Sequence, residues 1–260
     1  MAIVIQHSGS IPLLVSFPHS GQFIPEAIEG RMTNHALTLP DTDWYLERLY
    51  DFLPELGVST VAANFSRYLI DPNRSTDGVN LYPGRPTPEL CPKLCFDGTA
   101  IYRSGMEPDA FDIGQRTATY WTAYHDAIQG ELSRLKNQYG KAVLFDSHSI
   151  ASEVPRLFEN QLPDINMGTA NGASCGPQLE KSIGSVLDSQ SQYSHVFNGR
   201  FVGGYITRHY GQPDNGVQAV QLELSKRTYM DEQTGQWDDK KATAVRPLLR
   251  KIVESIVDSL

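Results

Sequence analysis

Short apolar runs alternate along this chain with longer segments of helical periodicity, and this alternation limits the fold more than any other feature. The short runs are typical of buried strands, whereas the longer segments place apolar residues on one helical face. Alternating strands and helices indicate an α/β protein with a central sheet. The predicted strands are residues 11–17, 59–63, 142–145, 200–207 and 217–224, and the predicted helices are residues 42–53, 112–139, 177–187 and 240–260.

Composition excludes several classes of partner. The 260 residues show no linker-like change in composition, which predicts a single domain over residues 1–260. Lys and Arg number 22 against 30 Asp and Glu, and this net charge of −8 without a basic block argues against nucleic-acid binding. No apolar run approaches the roughly 20 residues of a membrane helix. With three cysteines and no recognisable signal peptide, we expect a cytoplasmic protein away from membranes.

Two histidines follow apolar runs at matching positions. His19 comes after LLVSFP and His148 after AVLFDS, each just past the end of a predicted strand. The carboxyl ends of parallel strands border the crevice where α/β sheets bind ligands, and a neutral imidazole there suits a metal. A hydrogen-bonded structural role is the alternative for either residue alone. His209 is a further candidate, whereas His125 is expected on the surface of its helix.

Four acidic residues have candidate roles. Asp41 and Asp43 precede a predicted helix, so one of them can cap it while the other binds a ligand. Asp146 lies two residues before His148 and is expected to orient the loop rather than bind a metal, as a carboxylate that often accompanies a metal-binding histidine does. Glu223 alternates with apolar residues in VQAVQLELS, which places it either on a solvated face or in a functional site. Beside a metal, such a glutamate can act as a general base.

Several arginines lie in or near loops, and residues 71–108 form the longest predicted loop, rich in Pro, Gly, Asp and Asn. A guanidinium presents a planar fork that matches a carboxylate. Each arginine alone is more often a surface residue, but together they can concentrate positive charge around an anionic substrate. The candidates are Arg67, Arg74, Arg85, Arg103 and Arg208.

Two alternatives to a metal site stay open at this point. The sequence GASCG at 172–176 matches the G-x-S-x-G nucleophile motif of serine hydrolases, with His195 or His209 as the base. The preceding INMGTAN is a weak strand, which disfavours Ser174 as a nucleophile. The other alternative is a non-catalytic protein that binds a small dicarboxylate through the same arginines.

Six short motifs occur in order between residues 16 and 224. They are SFPHSG at 16–21, DTD at 41–43, NFSRYLIDPNR at 64–74, DSHS at 146–149, GGYITRHYG at 203–211 and QLEL at 221–224. Together they resemble the N-formylglutamate amidohydrolase (N-formylglutamate deformylase) family. The resemblance implies hydrolysis of N-formyl-L-glutamate to formate and L-glutamate in histidine degradation, with a small dicarboxylate as the partner molecule.

The resemblance also implies a fold and a site. The fold is α/β, with a mixed central sheet sandwiched by helices in a phosphorylase/hydrolase-like (zinc carboxypeptidase-like) arrangement. Gln22 stands where the H-x-x-E motif of carboxypeptidases has its acidic ligand, so this ligand must come from elsewhere. The hypothesis is a Zn²⁺ site, open to another divalent metal. Its ligands are His19, Asp43 (with Asp41 in reserve) and His148, its general base is Glu223, and its substrate-binding residues are Arg67, Arg74 and Arg208.

Overall fold

A mixed sheet forms the centre of the protein, whose computed structural model describes residues 2–79 and 87–260. Seven strands of the described residues lie in the order β1-β3-β2-β4-β7-β5-β6, and β8 and β9 form a separate hairpin. The strands are β1 Val4–His7, β2 Leu13–Phe17, β3 Ser59–Ala63, β4 Ala142–Ile150, β5 Ile165–Gly168, β6 His195–Phe197, β7 Val217–Ser225, β8 Met230–Asp231 and β9 Gln236–Trp237.

Helices cover both faces of this sheet. The helices are α1 Glu26–Glu29, α2 Leu46–Leu49, α3 Ala110–Arg116, α4 Thr122–Tyr139, α5 Pro177–Asp188, α6 Tyr205–Tyr210 and α7 Asp239–Asp258, with a π-helical turn Thr117–Trp121 joining α3 to α4. On one face α5 and α7 pack against β7, and on the other α4 packs against β2 and β4. The predicted α/β fold with a mixed sheet between helices is therefore confirmed. No described helix is long and apolar enough to cross a lipid bilayer.

The central strands β3, β2, β4 and β7 run parallel to one another, while β1 pairs antiparallel with β3 and β5 pairs antiparallel with β7. Every residue of β4 is buried, as expected for a strand covered by helices on both faces. Its register pairs Ser16 with Asp146 on one side and His148 with Glu223 on the other. The sheet thus brings three of the candidate polar residues next to one another.

The predicted strands at 142–145 and 200–207 differ from the structure. Strand β4 continues to Ile150, so His148 lies within the strand and not past its end. The apolar run stopped at Phe145 because the following buried positions carry the polar site residues. The predicted strand at 200–207 is wrong, since residues 205–210 form helix α6. Its first turn is held by Asn73, whose Oδ1 accepts a hydrogen bond from Ile206 N at 2.9 Å, a long-range contact that local pattern does not reveal.

The predicted helix at 42–53 is reduced to α2, residues Leu46–Leu49, because Tyr45 has a left-handed backbone that starts the helix late. The other helices match their predicted spans within a few residues. Strand β1 was not predicted, since three of its four residues are exposed and carry little apolar pattern.

His125 is 6% exposed, so its expected surface position is wrong. Its Nε2 donates to Pro72 O and its Nδ1 accepts from Tyr210 Oη, both at 2.9 Å. These two bonds use the neutral imidazole, and burial lowers the pKa of His125 to about 4.

Acid is therefore expected to weaken the fold through His125. Above pH 6.5, its ordinary pKa, the imidazole is neutral in both the folded and the unfolded chain. Below that pH the unfolded chain binds the proton first, so the free energy of unfolding falls, by about 3 kcal/mol from this group when pH reaches 4. Urea unfolding of metal-free wild type and His125→Phe across this pH range measures the effect. The free energy of unfolding should depend less steeply on pH in the variant than in wild type, and equal slopes for the two proteins would contradict the prediction.

Candidate metal centre and active site

The first histidine reaches the site through the loop after β2. His19 lies two residues beyond Phe17, and its backbone carbonyl accepts a hydrogen bond from Asp43 N at 3.0 Å. This bond brings the chain around Asp43 back to the end of β2. His148 comes from the neighbouring strand β4, so the three side chains come from separate stretches of sequence. All three are buried.

The Nδ1 atoms of the two imidazoles face each other and Asp43. They are 3.1 Å apart, and Asp43 Oδ2 lies 3.4 Å from Nδ1 of His148 and 3.7 Å from Nδ1 of His19. One ligand atom from each residue fits within a group less than 4.8 Å across. The structure therefore brings together the three residues that were predicted as metal ligands.

The opposite nitrogen of each imidazole bonds to a carboxylate. Nε2 of His19 lies 2.7 Å from Asp71 Oδ1, and Nε2 of His148 lies 2.9 Å from Asp146 Oδ2. Asp146 Oδ1 accepts in turn from Ser16 Oγ at 2.6 Å. A carboxylate at Nε2 favours the tautomer that leaves the Nδ1 lone pair available, and it is the usual companion of a metal-binding histidine. Asp146 occupies the orienting position that the sequence suggested.

The chemistry of Asp43 tests whether a cation fits here. Among the described residues, neither of its side-chain oxygens has a hydrogen-bond partner, although the side chain is 1% exposed. Burial disfavours its ionised form, but the adjacent His148 and His19 outweigh burial and hold the pKa of Asp43 well below its ordinary value. A buried carboxylate without donors is costly unless a cation compensates it. Two imidazoles and a carboxylate are a donor set that suits Zn²⁺, so the residues present fit a metal ion.

Charge around His148 is predominantly negative. Burial disfavours the imidazolium form of His148, but Asp146, Asp43 and Glu223 outweigh burial and raise the pKa of His148 well above its ordinary value. This surplus of carboxylates attracts a proton or a metal cation to the Nδ1 atoms. A positive side chain, Arg67, approaches the other imidazole, with its Nη1 3.1 Å from His19 Nδ1.

Arg67 is 6% exposed and is held in place by Asp71, whose Oδ2 accepts from Nη2 at 2.8 Å. Its guanidinium also lies over the ring of Phe96, 4.7 Å from the ring centroid. An ionised, immobilised guanidinium beside the proposed metal ligands can stabilise negative charge that develops on a substrate.

Glu223 lies beside His148 on the neighbouring strand β7. Its side chain is 8% exposed, and Gln221 Nε2 lies 3.4 Å from Oε2. Burial raises the pKa of Glu223 to about 7, against the lowering effect of His148. A carboxyl group with this pKa exchanges protons readily at neutral pH, which is the property of a general base.

A cavity that opens to solvent is lined by both histidines and Glu223. Arg67 and Arg74 line it as predicted, and Arg200, which the sequence did not suggest, lines it too. The lining also includes apolar side chains, namely Pro88, Phe96, Ile150, Leu157 and Phe201.

Other predicted residues lie elsewhere. Arg208, expected to bind substrate, lines a separate depression beside Ser174, and its Nε donates to Gly203 O. Arg103 donates to Met32 O instead of facing the cavity, and Arg85 lies outside the described residues. Asp41 accepts hydrogen bonds from Tyr68 Oη at 2.6 Å and Phe96 N at 2.8 Å, so Asp43 alone of the two faces the histidines.

Ser174 does not have the geometry of a nucleophile. It is 1% exposed, and its Oγ donates to Ala219 O at 2.7 Å. His195 pairs with Asp188, and His209 stacks on Tyr205. The structure therefore brings neither histidine to Ser174, which argues against the serine hydrolase alternative.

Comparison with known families agrees with this geometry. A family model described as N-formylglutamate amidohydrolase matches residues 11–230. The chain belongs to the N-formylglutamate amidohydrolase family. The matched span contains both histidines, Asp43 and Glu223.

Two curated relatives are similar to this chain over most of its length. The N-formylglutamate deformylase of Pseudomonas aeruginosa is 48% identical over 250 residues, 96% of this chain and 94% of the relative. The N-formylglutamate deformylase of Pseudomonas putida is 46% identical over 226 residues, 87% of this chain and 84% of the relative.

Two crystal structures share the family fold. An N-formylglutamate amidohydrolase from Ralstonia eutropha JMP134 aligns with a TM-score of 0.83 at 22% identity, covering 99% of this chain and 97% of its own. A gene product from Agrobacterium tumefaciens aligns with a TM-score of 0.73 at 17% identity, covering 97% and 95%. At these identities the likeness concerns the fold.

Sequence reasoning did not identify Asp71, Asn73 or Arg200 individually. The first two lie within the family-like stretch NFSRYLIDPNR, which was the available signal. Asn73 Nδ2 lies 3.0 Å from His148 Nε2. Lys226 was also missed; it is 5% exposed, and burial lowers its pKa although Asp43 and Asp41 oppose this effect.

Proposed function

We propose that this chain is a metal-dependent N-formylglutamate deformylase that hydrolyses N-formyl-L-glutamate to formate and L-glutamate. Family membership and the two curated relatives support the reaction. The observation that carries the metal-dependent form of the proposal is the buried carboxylate of Asp43, which has no hydrogen-bond donor within residues 2–79 and 87–260 and faces the Nδ1 atoms of His19 and His148.

His19, Asp43 and His148 would hold the metal, which we propose to be Zn²⁺. When bound, zinc supplies Lewis-acid chemistry that makes water more acidic and polarises a carbonyl oxygen. Three protein ligands are the usual number for a catalytic zinc, because the remaining position serves the reaction.

Glu223 would handle the protons of the reaction. Its carboxylate takes a proton from the attacking water as the water oxygen bonds to the formyl carbon. The same proton then passes to the glutamate nitrogen as the C–N bond breaks, because an amine leaves far more readily than an amide anion. The pKa of about 7 suits both steps, since one group must accept and then donate near neutral pH.

The cavity arginines would bind and polarise the substrate. Arg67, fixed by Asp71 beside His19, would stabilise negative charge on the formyl oxygen. Arg74 lines the cavity and would bind a substrate carboxylate. A dicarboxylate is favoured over a neutral formamide because a carboxylate can pair with the guanidinium of Arg74, and Arg200 lines the same cavity.

The wider setting follows from the same proposal. A role in histidine degradation and a zinc carboxypeptidase-like relationship are what the family resemblance implies, and a cytoplasmic location is what the sparse cysteines favour. The mixed sheet between two helix layers is consistent with that relationship.

Zinc content and formate release, measured on one purified sample, test the proposal. One equivalent of zinc and stoichiometric formate from N-formyl-L-glutamate are expected. Loss of formate release after chelator treatment, with recovery on adding zinc, would support metal dependence. Formate release that persists without metal would refute it, and tight dicarboxylate binding without formate would favour the binding-protein alternative.

Replacing Arg74 should weaken substrate binding. Loss of one charge-assisted contact costs about 1.5–3 kcal/mol, so Arg74→Ala is expected to raise KM about tenfold or more. Arg74→Lys retains the positive charge without the planar fork, so its KM should lie between the KM of Arg74→Ala and that of wild type. Arg208→Ala is the matched control, because Arg208 lies outside this cavity and its KM should stay near wild type. A KM rise in Arg208→Ala alone would reverse the assignment.

A further inference from the structure

Residues 71–74 connect both site histidines to the cavity wall. Asp71 contacts Nε2 of His19 at 2.7 Å, and Asn73 lies 3.0 Å from Nε2 of His148. Arg74 follows directly and lines the cavity. A shift of this segment, called here the 71–74 segment, would therefore disturb both imidazoles and the substrate-facing arginine together.

Two backbone carbonyls of this segment accept hydrogen bonds from side chains of a distant helical stretch. His125 Nε2 donates to Pro72 O, and Trp121 Nε1 donates to Arg74 O, each at 2.9 Å. The other two carbonyls accept hydrogen bonds within the segment: Asp71 O from the backbone N of Arg74, and Asn73 O from Nη1 of Arg74. The segment is thus fixed from outside at alternate residues.

The helical stretch is shaped to present these two donors. Trp121 ends the π-helical turn and stands four residues before His125, so both side chains lie on one face, with ring centroids 3.8 Å apart. Because the carbonyl of Pro72 can only accept a hydrogen bond, the proton of the neutral ring lies on Nε2, and Nδ1 is left as an acceptor 2.9 Å from Tyr210 Oη. Single π turns inside α-helices occur frequently at functional sites.

The segment is also held on its other side by α6. Asn73 Oδ1 accepts from Ile206 N, and a Cβ added at Gly204 would come within 2.5 Å of the Asn73 side chain. Glycine at 204 therefore permits this close approach. Asn73 has little freedom to move, because α6 holds its side chain while α4 and the π turn hold the carbonyls of the residues before and after it.

We propose that Trp121 and His125 are positioning residues of the active site: their hydrogen bonds to the carbonyls of Arg74 and Pro72 set Asp71, Asn73 and Arg74 against the histidines and the substrate. The effect of this role on kcat and KM rests on the proposed function. Its metal-binding part concerns Asp71 and Asn73, which contact the two histidines whether or not the substrate assignment is correct.

Three variants and a control test the proposal. Trp121→Phe keeps an aromatic ring without the N–H donor, His125→Phe removes both hydrogen bonds of the imidazole, and His125→Gln restores an N–H donor. Trp237→Phe is the matched control, because Trp237 Nε1 donates at 2.7 Å to Asp239, away from the cavity. Zinc affinity is measured by competition with a chromophoric chelator on the full chain, alongside kcat, KM and Tm.

Each variant has its own expected signature. Trp121→Phe should raise KM about fivefold to tenfold with a smaller change in kcat, because it frees the backbone of Arg74. His125→Phe should weaken zinc binding about tenfold, the low end of the effect of replacing residues that orient metal ligands. His125→Gln should recover zinc affinity to within about threefold of wild type. Trp237→Phe should change Tm alone.

The opposite pattern overturns the proposal. If Trp121→Phe and His125→Phe lower Tm while zinc affinity and KM stay at wild-type values, the two residues are merely structural. If His125→Phe does not fold, the KM of Trp121→Phe decides, and an unchanged KM refutes the proposal. Wild type that binds zinc but releases no formate would refute the proposed function alone, and a zinc affinity weakened in His125→Phe and recovered in His125→Gln would still support positioning.

Discussion

Glu223→Gln is expected to lower kcat for formate release by about 10²- to 10⁴-fold, the usual contribution of a positioned general base. Glutamine has nearly the same size as glutamate and keeps a hydrogen-bonding side chain next to Gln221, so the sheet should be undisturbed. It cannot accept a proton from water or return one to the leaving nitrogen. Steady-state kinetics with N-formyl-L-glutamate measure the effect.

Zinc content separates this effect from a loss of metal. Glu223→Gln should retain one equivalent of zinc, since Glu223 is not one of the three proposed ligands. Gln221→Glu is an informative companion, because it places a second carboxyl group next to the existing one without removing the base. Near-normal turnover by zinc-loaded Glu223→Gln would refute the base assignment.

The second large effect concerns Asp43. Asp43→Asn replaces an ionised ligand with a neutral amide of the same shape, and we expect zinc affinity to fall by more than about 100-fold, a loss beyond that seen for residues that only orient ligands. Activity at limiting zinc should fall in parallel. Equilibrium dialysis against zinc measures the affinity, and circular dichroism verifies that the variant is folded.

Asp41→Asn is the matched control for Asp43→Asn. Both acids lie in the DTD motif and both are buried, but Asp41 is bonded to Tyr68 and Phe96 and faces away from the histidines. Asp41→Asn should therefore bind zinc nearly as wild type does. If Asp41→Asn loses zinc and Asp43→Asn retains it, the ligand assignment is reversed.

Sequence pattern was sufficient for the elements that form the core. Strand β3 matches its predicted bounds, and β7 and α5 differ from theirs by one residue, because their apolar positions follow the period of the element and face the hydrophobic core. The predicted span of strand β4 was too short for the opposite reason. Its second half carries Asp146 and His148, and polar residues inside a buried strand are unusual except where a site requires them. That residues 1–260 form a single domain stays a prediction.

The site was predictable where its residues lie in short motifs, and less so where folding brings distant groups together. His19 and His148 were suggested by their positions after apolar runs, and Asp43 was chosen from the sequence with Asp41 in reserve. The contacts of the two acids support that choice, since Asp43 faces the histidines and Asp41 bonds to Tyr68. Arg200 could not be found from its neighbours in sequence, since its place in the cavity depends on how the chain after β6 returns to the sheet. Arg208 is the opposite case. It belongs to one of the family-like motifs, but on α6 it faces the depression beside Ser174 and not the cavity of the two histidines.

Placement of His148 and Glu223 side by side on the adjacent parallel strands β4 and β7 has an evolutionary consequence. Backbone ladders on both sides fix these strands, so the proposed ligand His148 and the proposed base Glu223 cannot drift without disrupting the core. The apolar rim, by contrast, comes from connecting stretches that include Phe96, Leu157 and Phe201. Descendants that acquire a new acyl-group preference should therefore differ at this rim while the reactive centre stays invariant, and libraries for altered selectivity are best directed there.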